Sequence, residues 1–144
     1  MRFVLSVLAL LLAFAVPAQA NETEWRRLAR ELRLADVDGF VETVKSVRDT
    51  GKLPAARYID KNAAEKLGWR PGADLCRVAP GKAIGGDRFF NREGRLPAAP
   101  NRRWTEADLD FDCGRRNAKR LVFSNDRLVF VTVDHYGSFR EVAK

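Results

Sequence analysis

Three hydrophobic patterns succeed one another along the chain. An apolar run from Phe3 to Val16, interrupted only by Ser6, comes first, with Arg2 ahead of it and Ala18-Gln19-Ala20 behind. A short positive segment, an apolar stretch and a small-residue cleavage site predict a secretory leader over residues 1–20 and a mature chain from Asn21. The run is short against the ~20 residues of a membrane-spanning helix, so no membrane association is expected after cleavage.

Helical spacing follows. Trp25, Leu28, Ala29 and Leu32 recur at intervals of three and four between Asn21 and Leu34, which predicts an amphipathic helix. Its apolar face suits either an extra packed helix or a lead-in segment. A firmer helix begins at Asp36 as N-cap, carries Val37, Phe40, Val41, Val44 and Val47 on one face, and ends at Gly51. After the turn Lys52-Leu53-Pro54, another helix is expected from Asp60 or Lys61 to Leu67, closed by Gly68. Pro71 to Gly86 is rich in Gly and Pro; within it, Leu75 to Ala79 fits a helical turn or an extended segment.

Beyond Lys82 the pattern shortens to β-type segments near Ala83–Ile84, Arg103–Leu109, Lys119–Ser124, Arg127–Thr132 and Phe139–Val142, with Asn125-Asp126 as a tight hairpin. Helices first and antiparallel strands later predict an α+β domain with the helices covering one sheet face.

Composition fits this picture. With 144 residues, 46% of them hydrophobic, the chain has material for a single core. Its 26 Lys and Arg against 19 Asp and Glu give +7; losing Arg2 with the leader leaves 25 against 19, or +6. That balance favours polyanions such as RNA, DNA or anionic membrane surface, and equally serves solubility. Cys76 and Cys113 are the only cysteines. In an exported chain they are expected to pair, at ~2–4 kcal/mol of stabilisation; two separate buried thiols are the alternative. Two cysteines and one histidine fall short of a four-ligand zinc site, so no metal is expected.

Candidate chemistry gathers between Trp104 and Tyr136, where Glu106, Arg116, Arg120 and the single histidine, His135, lie. A carboxylate and an imidazole can divide base and acid work, and fixed guanidiniums can hold phosphate charge. By type alone the same residues are ordinary surface groups.

Longer motifs narrow the choice. Lys52-Leu53-Pro54, Tyr58-Ile59, Leu67-Gly68-Trp69, Val78-Ala79-Pro80-Gly81-Lys82, Ile84-Gly85-Gly86-Asp87, Asn91-Arg92-Glu93-Gly94, Trp104, Glu106-Ala107-Asp108 and Asp134-His135-Tyr136 occur in order. On these motifs the chain from about Val37 onward resembles the secreted bacterial guanyl-preferring ribonucleases, the barnase-like group of microbial ribonucleases. The resemblance implies a ribonuclease domain over 37–144, preceded by a helical extension over 21–36, with N-terminal helices on a five-stranded antiparallel sheet. It also implies metal- and cofactor-free cleavage of single-stranded RNA after guanosine, through a 2′,3′-cyclic phosphate to a 3′-phosphate. A non-catalytic basic RNA- or polyanion-binding module on the same fold is the alternative.

Carried over by position, the resemblance makes Glu106 the general base and His135 the general acid. Arg116, Arg120 and Lys61 become phosphate-binding cations, and Asp108 the residue that orients the two arginines. Glu93 is implied as the acceptor for guanine, with Arg92, Asn91 and Tyr136 beside it. An acidic intracellular inhibitor of the barstar type, covering Lys61, Arg116, Arg120 and His135, is implied as a partner of a monomeric enzyme. Phe90 departs from the pattern, standing where the family has a small polar residue. Arg127 replaces an aromatic, one extra residue precedes Tyr58, and the cysteine pair is absent from the family's best-known member.

Overall fold

A computed structural model describes residues 18–144, so most of the expected leader lies outside the described residues. Helix α1 spans Ala18–Glu31, beginning ahead of Asn21, and α2 spans Val37–Thr50. The start and stop of α2 follow from two residues. Asp36 accepts the Gly39 N–H at 2.8 Å, and Gly51, at φ 73°, turns the chain while its N–H reaches the Val47 carbonyl. Helix α3, Lys61–Lys66, is capped in the same way by Asp60, which accepts from the Ala63 N–H at 2.8 Å. The Leu75–Ala79 segment resolves as a 3-10 turn at Leu75–Arg77.

The sheet runs β1 (Tyr58–Ile59), β2 (Ala83–Phe89), β3 (Trp104–Asp108), β4 (Arg120–Ser124), β5 (Val129–Thr132) and β6 (Arg140–Glu141), each strand beside the next in sequence. Five of these are the expected segments. The sixth, β1, is two residues long and pairs parallel to β2, too short to show any periodicity. Strand β2 extends well past Ile84, because Gly85 and Gly86 serve packing rather than a turn. A Cβ on Gly85 would lie 2.6 Å from the Tyr58 ring, and Gly86, at φ 110°, sits at the irregularity where register shifts between Gly85 and Asp87. Strand β5 starts at Val129 instead of Arg127, since Arg127 adopts φ 68° in the turn and its N–H closes on the Ser124 carbonyl.

Alternation along the strands sorts side chains to two faces. Leu109, Leu121, Phe123, Val129 and Val131 pack with Trp25, Leu28, Phe40, Val44 and Val47 of the helices in the main core. The opposite face carries a smaller cluster, Leu96, Trp104 and Val122, with Phe89, Phe130 and Tyr136 around it. A third cluster holds α3 to β2 through Ala64, Trp69, Leu75, Ala79 and Ile84.

Helix α1 belongs to the main core and clasps the C-terminus. Trp25 Nε1 donates to the Ala143 carbonyl at 2.7 Å, and Arg140 pairs with Glu31 at 3.2 Å. From α2, Arg48 donates to the carbonyls of Val142 and Arg127, and burial holds its guanidinium below the usual value. Cys76, on the 3-10 turn, is disulfide-bonded to Cys113 in the β3–β4 loop, with Cα atoms 5.5 Å apart. No helix among the described residues is long and apolar enough to cross a membrane.

Candidate active site

On the sheet face away from α1 and α2, Glu106, Asp108 and Arg120 project beyond the Trp104 cluster. Asp108, 2% exposed, is the anchor. Arg116 forks onto it, Nε to Oδ2 and Nη2 to Oδ1, both at 2.7 Å, and these hydrogen bonds hold Arg116 above its ordinary value. Arg120 Nε lies 3.1 Å from Oδ1 but outside hydrogen-bonding geometry, so that contact is ionic; its Nη1 donates to the carbonyls of Asn117 and Lys119. Tyr58 donates to the Asp108 carbonyl at 2.9 Å, and burial pushes its hydroxyl up to about 12.

The loop that delivers Arg116 is tied down at several points. Asn117 Nδ2 donates to the carbonyls of Leu109 and Asp110, and Lys119 pairs with Asp110 at 2.8 Å. Asp110 also accepts the N–H groups of Ala35 and Asp36. Burial pushes the Asp110 carboxyl up, but Lys119 and the two amides outweigh it and its pKa is lowered.

Glu106 is 8% exposed and its two oxygens have different neighbours. Oε2 accepts the Tyr136 hydroxyl at 2.5 Å; Oε1 lies 3.7 Å from Lys61 Nζ. Burial, then the hydrogen bond to Glu106, raises the Tyr136 pKa. Lys61 opens α3, and Asp87 of β2 accepts its N–H at 3.1 Å.

His135 and Tyr136 sit consecutively in left-handed backbone, at φ 52° and 69°. Such a pair of non-glycine residues is strained and needs support. Asp134 supplies it by accepting the Ser138 hydroxyl at 2.7 Å, the Ser138 N–H at 2.9 Å and the Thr132 hydroxyl at 2.8 Å. These bonds, the Ser138 hydroxyl first, lower the Asp134 carboxyl to about 2. The His135 N–H donates to the Ala118 carbonyl at 3.0 Å, joining this turn to the arginine loop. The imidazole is exposed, its ring centre 4.9 Å from that of Tyr136.

Beside this cluster lies a cavity of about 430 Å³ lined by Phe89, Asn91, Arg92, Glu93, His135 and Tyr136, among others. Phe89 stacks on Tyr136 with centroids 4.9 Å apart and planes 21° apart. Asn91 spends its amide on loop shape, exchanging hydrogen bonds with the N–H and carbonyl of Leu96. Glu93 is exposed and its carboxylate is paired with Arg95, which also donates to the Tyr136 carbonyl. Thus Glu106, Lys61 and Tyr136 meet directly, as do Asp108, Arg116 and Arg120, while Asn91, Arg92 and Glu93 line the adjoining cavity. Among the described residues one grouping of metal-type donors occurs, Asp74 with Cys76 and Cys113, and both sulfurs are committed to the disulfide.

Sequence reasoning gave no individual role to Asp134, named only within the Asp134-His135-Tyr136 motif, nor to Phe89 and Arg95. The Asp-x-x-x-Ser spacing of Asp134 and Ser138 was a usable sign of a side-chain-bonded turn; nothing local marked the other two.

The ribonuclease family model matches residues 43–143, from α2 through β6. The chain is 43% identical over 128 residues to a ribonuclease of Bacillus pumilus, covering 88% of this chain and 78% of the relative. To a ribonuclease of Bacillus intermedius it is 44% identical over 124 residues, covering 85% and 76%. The chain belongs to the barnase-like microbial ribonuclease family. A ribonuclease of Heyndrickxia coagulans shares 54% identity over 86 residues, 59% of this chain and 79% of that one. Every site residue from Lys61 to Tyr136 lies within the ribonuclease match, and α1 lies outside it.

Proposed function

We propose that this chain is an exported, metal-independent endoribonuclease that cuts single-stranded RNA after guanosine. In the first step Glu106 takes the 2′-hydroxyl proton, the 2′-oxygen attacks phosphorus, and the bond to the 5′-oxygen breaks as His135 protonates that oxygen. A 2′,3′-cyclic phosphate results. In the second step His135 takes a proton from water, the water oxygen attacks phosphorus, and Glu106 returns its proton to the departing 2′-oxygen, leaving a 3′-phosphate.

The observation that carries this reading is the convergence on one sheet face of Glu106, held by Tyr136 and facing Lys61, with the Asp108-bound Arg116 and Arg120 nearby. Cations fixed in advance favour the doubly anionic phosphorane over the singly charged diester, which lowers the barrier. Guanine is favoured because the Glu93 carboxylate matches its adjacent N1–H and N2–H donors, once the pair with Arg95 opens.

Residues 1–20 act in this scheme as a leader and 37–144 as the ribonuclease domain, working as a monomer outside the cytoplasm. The half-exposed Lys61 and Arg116, beside the exposed His135, also suit an acidic intracellular inhibitor of the barstar type, steered by charge. Cell extracts of the producer without neutralising activity would count against that partner.

The experiment is His135→Ala on a guanosine dinucleotide. Loss of the acid is expected to lower kcat by about 10²–10⁴-fold while affinity for guanosine 3′-phosphate changes little. A wild-type rate would mean that the acid lies elsewhere. Binding of RNA by the intact chain with no turnover would favour the non-catalytic module instead.

A further inference from the structure

We propose that Phe90 is a stacking platform for a nucleobase outside the guanosine dinucleotide that is cut, one step further along a single-stranded RNA, an additional subsite on the lip of the base cavity. The proposal rests on the guanosine reading above. Phe90 is 59% exposed, while its neighbour Phe89 packs against Tyr136 and Phe139. One step along an extended segment reverses the side-chain direction, so Phe90 faces outward where Phe89 faces in. Among the residues lining the cavity, Phe90 is the large hydrophobic that stands exposed, beside Arg88, Arg92, Arg95, Asn91 and Glu93.

Two guanidiniums approach that ring. Arg88 Cζ lies 4.8 Å and Arg92 Cζ 5.3 Å from its centroid, and neither has a carboxylate partner among the described residues. An exposed aromatic beside cations is the combination that holds single strands, the ring taking a base and the cations the flanking phosphates. Continuity with the cavity that holds His135 and Glu93 places the ring within reach of a neighbouring nucleotide of the same strand. A single ring is too small for the apolar centre of a protein interface. Because every base offers a π-face, the subsite adds affinity for longer RNA with little sequence preference.

The test compares kcat/KM for a guanosine dinucleotide with kcat/KM for the same step in oligonucleotides extended by one nucleotide on the 5′ or the 3′ side. Phe90→Ala and Phe90→Leu are expected to lower the ratio of extended to dinucleotide substrate by about 5–20-fold on one side, mainly through KM, with Phe90→Trp retaining it. An unchanged ratio, a Leu variant equal to wild type, or equal losses on both substrates would overturn the platform. Anisotropy with an uncleavable extended oligonucleotide reads the same ratio from binding. The platform therefore stands or falls separately from the cleavage reading, which failure of the wild type to cut the dinucleotide would overturn.

Discussion

Asp108 sets the geometry of two cations from one buried carboxylate. Its replacement by Asn keeps the shape and removes the charge, leaving Arg116 and the buried Arg120 without their counter-ion. Breaking a buried pair from one side costs about 3–5 kcal/mol, so Asp108→Asn should lower urea-unfolding stability by that order and activity with it. A loss under ~1 kcal/mol would show that the arginines are held by other means. At this scale the sequence was most readable where a residue falls within a longer motif, as Glu106 and His135 do. It was least readable where a residue acts on a distant partner. The bond from Tyr136 to Glu106 spans thirty positions and depends on how the final turn folds over β3. The pairing of Glu93 with Arg95 likewise follows from loop shape rather than residue type.

The turn after β5 shows what an element adds. Four hydrogen bonds centred on Asp134 and Thr132 keep His135 and Tyr136 in left-handed backbone. Because the folded Asp134 carboxyl is lowered from 3.8 to about 2, its stabilisation is complete above the ordinary carboxylate range and is lost as pH falls through about 2. Amide exchange at Ser138 should accelerate over that window, beyond the intrinsic pH dependence. Asp134→Ala should show the faster exchange already at pH 5, and identical exchange in the two proteins would rule out this support. The helices were legible from their caps, since Asp36, Asp60 and Gly51 act locally. Strand β2 was cut short by its glycines. Their reason, the close approach of Tyr58 and the register shift opposite β3, exists only in the assembled sheet.

Across the whole molecule, α1 closes the fold over the end of the chain. Its amphipathic pattern was readable, but its partner was not, because the bond from Trp25 to Ala143 joins residues 118 positions apart. Trp25→Ala removes a buried indole and that bond, and should cost about 3–5 kcal/mol in urea unfolding; a cost near zero would mean that α1 rests on the core without contributing to it. The cysteine pairing ties the α3 side of the molecule to the arginine loop, and the expectation of export made that pairing legible where distance in sequence did not. What all these contacts serve is one reaction. The measurement that tests it most directly is product analysis of guanosine and non-guanosine dinucleotides incubated with the folded protein and a metal chelator. Guanosine 2′,3′-cyclic phosphate is expected to appear first and the 3′-phosphate later, with much slower cleavage after other bases. Absence of turnover, or a 3′-phosphate formed with no cyclic precursor, would contradict it.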